Sequence, residues 1–305
     1  MTGPRLSIVV VGHDMARELP RTVRSLLPPY QQGVAPGEVE IFVMDSRSTP
    51  PVDPAWFADL PGVQVRRVDS GGLSPCLAVN LGVACSRAPL VAVAIDGARM
   101  ASPGLVRASL EALAVAPDAI VATLGFHLGP KVQQVSVTEG YDRDEEDRLL
   151  AGINWPSDGY RLFEICALGE SYAQGAFEAP PETTFFVMSR ARFTALGGFD
   201  EGFRSLGGGF ANYDFFDRAT SDPDKPLVML VGEGTFHQLH YGATTQAGGV
   251  ARQVGDEGAL WDQYASEYER LRGRPYRRAH PPVRLYGAVT HPKARALFFP
   301  PETSA

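Results

Sequence analysis

The chain has few cysteines and little positive charge for its 305 residues. Its three cysteines, Cys76, Cys85 and Cys166, form no CxxC pair, which disfavours both a zinc knuckle and a disulfide framework. Acidic residues outnumber lysine and arginine by 35 to 28, and the net charge is −7. This balance disfavours bulk binding to nucleic acid or to an anionic membrane surface, because both attract basic patches.

Long apolar runs and glycine-rich nucleotide fingerprints are also missing. No stretch approaches the length of a membrane span, and residues 1–5 carry no signal-peptide pattern, so we expect a cytoplasmic protein without a transmembrane segment. Gly12 follows the first predicted strand, but neither a GxGxxG motif nor a Walker lysine accompanies it. A nicotinamide-dependent enzyme and a P-loop NTPase are therefore disfavoured.

A run of small and β-branched residues over 90–95 ends abruptly at Asp96, Gly97 and Ala98. A strand that is apolar on both faces is typical of the middle of a sheet covered by helices. Helical patterns alternate with further predicted strands, which lie at 6–11, 39–44, 63–68, 120–126, 183–188 and 227–231. This order predicts a doubly wound, mostly parallel α/β sheet that binds its ligands at the carboxyl ends of the strands.

Two other patterns receive structural rather than functional interpretations. Residues 139–148 form a charged patch, dense over 142–148, and we interpret it as a solvated helix face or a mobile lid. Trp261, Tyr264 and Tyr268 recur at helical spacing, which favours helix packing over a sugar-stacking surface.

Five segments in order resemble parts of a family-2 type glycosyltransferase with the GT-A fold, over roughly residues 6–245. They are the first strand with its nucleotide loop at 6–14, the second strand with Asp45 at 40–49, the helix with Asn80 at 78–84, Asp96-Gly97-Ala98 at the DxD position, and the acceptor-side segment at 197–218. The resemblance implies an α/β GT-A fold, in which helices flank a Rossmann-like, mostly parallel central sheet. It also implies a nucleotide-binding half at 1–125, an acceptor-side half at 126–245, and a helical or irregular C-terminal extension at 246–305 packed on the 1–245 domain.

The same resemblance implies a transferase that moves a hexose-type sugar from a nucleotide-sugar donor to a small-molecule or glycan acceptor. Asp45 would hold the nucleoside, Asp96 the ribose and diphosphate, and His13 would stack on the base or point away. The full set of implied donor-binding residues is Val11, Gly12, His13, Asp45, Asn80, Asp96 and Gly97. The donor, the acceptor, the stereochemical outcome and the oligomeric state stay open.

Three positions depart from the family pattern. Ala98 stands where the second DxD carboxylate is usual, and Val79 where a basic residue often precedes the helix asparagine. The Glu-Asp pair, which supplies the base in inverting members, falls on Ala211 and Asn212. We predict Asp214, the nearest surviving carboxylate, as the base, since a base must reach the acceptor hydroxyl, and we expect Asn212 to position the acceptor. A retaining reaction would need no such base.

A divalent cation, Mn²⁺ or Mg²⁺, is the cofactor that the resemblance implies. Asp96 alone is a poor site for such an ion. In metal-dependent GT-A enzymes a histidine on a C-terminal loop often completes the site, and 232–242 resembles that loop. We predict that His240 or His237 joins Asp96, with a preference for His240 because Gly242 follows it.

Two other functions compete with a transferase. One is a non-catalytic GT-A protein that binds a nucleotide or glycan, or scaffolds a partner, after losing turnover with Ala98 and Asn212. The other is a nucleotidyltransferase-like enzyme acting on sugar nucleotides. The latter is disfavoured because no glycine-rich loop with arginine or lysine follows the first strand.

Overall fold

The computed structural model describes residues 3–69, 71–72, 74–240 and 257–301. The strands of this part are β1 (Leu6–Gly12), β2 (Val39–Ser46), β3 (Val63–Val68), β4 (Leu90–Ala94), β5 (Arg99–Ala101), β6 (Ile120–Leu128), β7 (Cys166–Leu168), β8 (Phe185–Ser189), β9 (Leu227–His237) and β10 (Val283–Gly287). They form one ten-stranded sheet in the order β10-β9-β6-β8-β4-β1-β2-β3, with β5 paired to β9 and β7 to β6. The predicted α/β class with a mostly parallel sheet is confirmed.

Helices cover both faces of the sheet. The α-helices are α1 (Leu19–Ser25), α2 (Cys76–Cys85), α3 (Leu105–Val115), α4 (Gln133–Ser136), α5 (Arg143–Ile153), α6 (Arg190–Ala195), α7 (Ala211–Thr220), α8 (Glu257–Arg272) and α9 (Ala294–Phe298). Every residue of β1 is buried, and its side chains alternate between two apolar cores. Val9 packs in one core and Ile8 in the other, which explains why this strand is apolar apart from Ser7.

The parallel pairing of the first strands creates the functional edge of the sheet. In β1 and β2, Gly12 lies opposite Asp45, and β1 also pairs in parallel with β4. Their carboxyl ends therefore lie side by side, and Asp96 follows two residues after β4. This is the edge at which open α/β sheets bind ligands.

Strand β9 is longer than the sequence pattern indicates. The prediction placed a strand at 227–231 and a loop from Gly232 onward, whereas β9 continues to His237. It runs parallel to β6 across an irregularity between Thr123 and Leu124, and its last part pairs antiparallel with β5. The loop prediction was wrong for 232–237, and the extended strand brings His237 to the functional edge.

The C-terminal segment contributes to the main sheet. β10 pairs in parallel with β9, and α8 packs through the buried Tyr264 and Tyr268. Residues 241–256, including Gly242, lie outside the described residues, and the domain boundary at 245 stays a prediction. Within the described ranges, every helix is too short or too polar to span a lipid bilayer. The cytoplasmic location also stays a prediction.

Asn80 joins α2 to the turn after α6. Its Nδ2 donates to the Phe199 carbonyl at 2.8 Å and to Glu201 Oε1 at 2.9 Å, while its Oδ1 accepts from the Phe199 amide at 2.9 Å. The side chain does not line the cavity described below. Its contacts in this structure are therefore those of a clamp between two segments of the backbone.

We expect Asn80→Ala to lower the free energy of unfolding by about 1–3 kcal/mol, because it leaves backbone groups of Phe199 without their partner. Equilibrium urea denaturation measures the change. Leu81→Ala on the same helix is the control, since Leu81 is 41% exposed and a substitution at such a surface position costs within about 0.5 kcal/mol. Equal losses in the two variants would contradict the clamp.

Candidate active site

A cavity of about 850 Å³ lies above the functional edge of the sheet. Its volume is in the range of small-molecule and cofactor sites. The sequence-predicted residues that line it are Val11, His13, Asp96, Asn212, His237 and His240. Gly12, Asp45, Asn80, Gly97 and Asp214 do not line it.

Asp96, His237 and His240 form a tight cluster in the cavity wall. His237 Nε2 lies 2.9 Å from Asp96 Oδ2, His240 Nε2 lies 3.6 Å from Asp96 Oδ1, and the two Nε2 atoms are 3.0 Å apart. The side chains of His237 and His240 are only 4% and 10% exposed. The structure thus places both histidines beside Asp96, where the sequence analysis preferred one.

Gln133 fixes the orientation of the His237 ring. Its Nε2 donates to the His237 carbonyl at 3.0 Å, so its Oε1, 2.6 Å from His237 Nδ1, accepts the ring proton. Burial lowers the pKa of His237 to about 4, although Asp96 opposes this shift. The neutral ring therefore directs the Nε2 lone pair towards Asp96 and His240.

The cluster fits a divalent cation. Burial acts to raise the pKa of Asp96, but His240 and His237 outweigh it and hold the carboxyl well below its usual range, so it is ionised. Two ligand atoms that each lie ~2.1 Å from one ion, at a right angle, are separated by about 3.0 Å. The ligand-atom separations in the cluster are 2.9, 3.0 and 3.6 Å. A bound cation would accept the lone pair of His237 Nε2 and offset the negative charge of Asp96.

The backbone between the two histidines is held from both sides. Glu146 Oε2 accepts from the Leu239 amide at 2.8 Å, and Arg17 Nη1 donates to the Leu239 carbonyl at 3.3 Å. Arg17 also pairs with Glu146 at 3.2 Å and with Asp147 at 2.7 Å. The interpretation of 139–148 as a solvated face was therefore wrong for Glu146, which is buried and holds the backbone between the two histidines.

The nucleoside side of the cavity presents His13 and Ser46. His13 Nδ1 donates to the Ser46 carbonyl at 2.7 Å, which fixes the ring. Asp45 is buried beneath it, and its carboxylate accepts from the Ser48 and Val52 amides at 2.9 and 3.2 Å and from Arg67 at 3.1 Å. In this structure Asp45 shapes the loop and does not reach the cavity.

Gly12 and Gly97 act through their lack of a side chain. A Cβ on Gly97 would lie 2.8 Å from both Leu19 Cδ2 and the Val11 carbonyl oxygen. A Cβ on Gly12 would lie 2.8 Å from Leu19 Cδ1. The two glycines allow the first loop and the loop after β4 to approach α1.

The predicted base, Asp214, is engaged elsewhere. It is buried on α7, where Arg218 donates to Oδ2 at 2.9 Å and Arg272 to Oδ1 at 2.5 Å. Both oxygens therefore hold arginines, and the carboxylate joins α7 to the end of α8. Asn212 does line the cavity, as an acceptor-positioning residue must.

Among the cavity residues that the sequence analysis missed are Arg99, His127 and Glu182. Arg99 Nε lies 3.5 Å from Asp96 Oδ2. His127 Nδ1 accepts from the Gln133 amide at 2.9 Å, and burial, His237 and Arg99 lower its pKa to about 2, so the neutral ring carries its proton on Nε2. The one sequence signal for Arg99 was a cation between the apolar residues Ala98 and Met100.

Trp261 differs from its neighbours on α8. Tyr264 and Tyr268 are buried, as the packing interpretation expected. Trp261 lines the cavity and is 45% exposed, with its ring 5.6 Å from that of Phe210. The packing interpretation was therefore incomplete for Trp261, which packs on Phe210 and also exposes part of its ring to the cavity.

No protein-family model and no curated protein matches this chain. Among solved structures, its fold is similar to the mannosyltransferase PcManGT from Pyrobaculum calidifontis in complex with GDP-Man and Mn²⁺ (TM-score 0.55, 13% identity, covering 92% of this chain and 67% of that chain). It is also similar to S. aureus TarS 1–349 in complex with UDP-GlcNAc (TM-score 0.53, 12% identity, 87% and 66%). A further TarS structure aligns at TM-score 0.50 and 12% identity over 77% of this chain, which spans only 37% of that one. The chain has the GT-A glycosyltransferase fold.

We expect the chain to bind Mn²⁺ more tightly than Mg²⁺, because imidazole nitrogen suits transition metals better than Mg²⁺. Asp96→Ala or His237→Ala should weaken Mn²⁺ binding by more than about 100-fold, since each removes a direct ligand. Isothermal titration calorimetry measures the affinity, and His280→Ala, which removes an exposed histidine, is the control. Equal affinities in all variants would place the ion elsewhere.

Glu146→Ala should weaken Mn²⁺ binding by about 10–100-fold without removing a ligand, because it frees the segment that carries His240. The matched control is Glu145→Ala on the same helix, which removes a carboxylate that is 39% exposed and pairs only with Arg148 among the described ion pairs. Thermal unfolding first shows that both variants are folded. Titration with Mn²⁺ then compares their affinities for the ion. An affinity equal to that of the unsubstituted chain would show that Glu146 does not support the site.

Proposed function

We propose that this chain is a nucleotide-sugar-dependent glycosyltransferase that uses a divalent cation held by Asp96, His237 and His240. The observation that carries the proposal is the position of this cluster, in a cavity at the carboxyl edge of a GT-A sheet. In that position the cation would stabilise the negative charge that develops on a departing diphosphate. Membership of family 2 and transfer of a hexose rest on the resemblance in sequence.

Arg99 supplies a second positive charge beside the cluster. Its Nε is buried and has no hydrogen-bond partner among the described residues, although Asp96 lies 3.5 Å away. A buried donor without a partner costs about 1–3 kcal/mol. A phosphate oxygen would satisfy this donor, so we assign Arg99 to the diphosphate.

The nucleoside would occupy the part of the cavity lined by Val11, His13 and Ser46. The hydrogen bond to Ser46 orients the His13 ring, which is suited to stack on a base. Two structural neighbours bind UDP-GlcNAc and GDP-Man, respectively. We infer a donor of the same class, a sugar linked to a nucleoside diphosphate, with a sugar or small molecule as acceptor.

A non-catalytic nucleotide-binding protein is the second candidate. The specific observation in its favour is that the Glu-Asp position holds Ala211 and Asn212, while Asp214 is paired with two arginines. Such a protein would bind a nucleoside diphosphate without releasing it from a donor. Turnover therefore separates the two functions.

We expect calorimetry to show binding of UDP, GDP or dTDP, with Mn²⁺ tightening the complex by at least about tenfold because the ion bridges protein and diphosphate. Asp96→Ala should abolish this gain, and His280→Ala should retain it. UDP-glucose, UDP-GlcNAc and GDP-mannose are then assayed for release of the nucleoside diphosphate. If none of the three nucleotides binds, the proposal is wrong. Binding without release from any donor would favour the second candidate.

A further inference from the structure

Three carboxylates line the cavity: Asp96, Glu170 and Glu182. Asp96 belongs to the histidine cluster, and Glu170 is exposed at the rim. Glu182 is partly buried, in the loop that leads into β8. It is the only one of the three that is both sheltered from solvent and outside the metal cluster.

The position of Glu182 follows from the direction of β8. This strand pairs antiparallel with β4, and Phe185 lies opposite Ala94. The amino end of β8 therefore lies at the same edge of the sheet as the carboxyl end of β4. Glu182 precedes Phe185 by three residues, and Asp96 follows Ala94 by two, so both carboxylates reach the cavity from adjacent strands.

The immediate partners of Glu182 leave its carboxylate able to take a proton. Asn212 Nδ2 donates to Oε2 at 2.7 Å, and Ser171 Oγ lies 3.4 Å from Oε1. No arginine, lysine or histidine among the described residues forms an ion pair with it within 4.0 Å. Burial raises the pKa of the Glu182 carboxyl, an effect that these hydrogen bonds and Arg99 oppose. The carboxylate of Asp214, by contrast, forms ion pairs with Arg218 and Arg272.

Asn212 connects Glu182 to the predicted acceptor side. Its amide nitrogen is used by Glu182, while its Oδ1 is buried and has no hydrogen-bond partner within the described part of the chain. A hydroxyl group of a bound acceptor would satisfy this oxygen. The pair thus offers a hydrogen-bond acceptor to orient a hydroxyl and a carboxylate to deprotonate one.

We propose that Glu182 is the catalytic base, a role that rests on the proposed transferase function. Its carboxylate takes the proton of the acceptor hydroxyl while that oxygen forms a bond to the anomeric carbon of the donor sugar. The bond from this carbon to the diphosphate breaks, and its electron pair leaves with the nucleoside diphosphate. A single displacement of this kind inverts the anomeric configuration. Asn212 is the positioning residue for Glu182.

In the test, water is the acceptor. The donor is whichever of UDP-glucose, UDP-GlcNAc and GDP-mannose the unsubstituted chain turns over. Glu182→Gln keeps the shape and the contact with Asn212 but cannot accept the proton. We expect it to lower the rate of nucleoside diphosphate release by about 100- to 10,000-fold, while the affinity for the nucleoside diphosphate with Mn²⁺ stays within about threefold. Glu178→Gln, an exposed position on the same segment, is the matched control and should keep the unsubstituted rate.

Azide separates a chemical role from a structural one, because this anion attacks without losing a proton. We expect azide to restore release of the nucleoside diphosphate in Glu182→Ala and to give a glycosyl azide of inverted configuration, seen by proton NMR. A structural defect would not be rescued. A product of retained configuration, or no rescue by azide, would overturn the role of Glu182.

The remaining outcomes distinguish this role from the transferase itself. If the unsubstituted chain turns over and Glu182→Gln is equally fast, Glu182 is not the base. If Glu170→Gln lowers the rate of nucleoside diphosphate release and Glu182→Gln does not, the base is Glu170 at the rim and the proposal is overturned. If the unsubstituted chain releases no nucleoside diphosphate from any of the three donors, the transferase function fails and the role of Glu182 fails with it.

Discussion

The pairing of β5 with β9 is the constraint on which the candidate site depends. In this register Arg99 lies opposite His237, so the pairing of β5 with β9 fixes the position of His237. β9 reaches that position only because it continues through an irregularity beside β6. Gly234 makes this possible, since a Cβ there would lie 2.4 Å from the ring of Phe126. A shift of one residue would turn His237 to the opposite face of the sheet and separate it from Asp96.

The supporting residues around the cluster follow from electrostatics. Two imidazole nitrogens and a carboxylate lie within 3.6 Å of one another here, so the surrounding structure must hold them in place. Gln133 contacts both the ring and the carbonyl of His237, which fixes its position and its tautomer together. Arg17 and Glu146 hold the Leu239 backbone in the same way, between the two histidines. These outer contacts create the geometry that a cation would then stabilise.

The sequence predicted those features that depend on local pattern. The apolar run before Asp96, the order of strands and the nucleotide loop gave the fold and the edge at which the cavity lies. The extension of β9 to His237 was missed because Gly232 and Gly234 resemble the start of a loop, and only pairing with β5 and β6 keeps the chain extended. Such pairing joins residues more than 100 positions apart and leaves no periodic signal.

Residue types alone did not predict the contacts of the carboxylates. Asp45 and Asp214 have the expected chemistry and sequence positions, but both are occupied by contacts within the fold. Glu182 was overlooked because a fully parallel sheet would place ligands only after strands, and this residue precedes one. The antiparallel direction of β8 reverses that expectation for one strand.

Ala98 and Asn212 depart from the family pattern in sequence, which argues against catalysis. The structure changes the interpretation of both positions. Ala98 is fully buried in an apolar core, so a carboxylate at this position would lie among apolar side chains. His237, at the end of β9, and His240, three residues later, place ring nitrogens beside Asp96, where they could complete the proposed cation site. Asn212 lacks the charge of a base, yet it donates a hydrogen bond to a carboxylate on a neighbouring element. In each case the group missing from the motif has a counterpart of suitable chemistry at the same edge of the sheet. Loss of a motif residue is therefore weak evidence for loss of turnover, because the chemistry requires groups in a shared space and not at a fixed spacing along the chain.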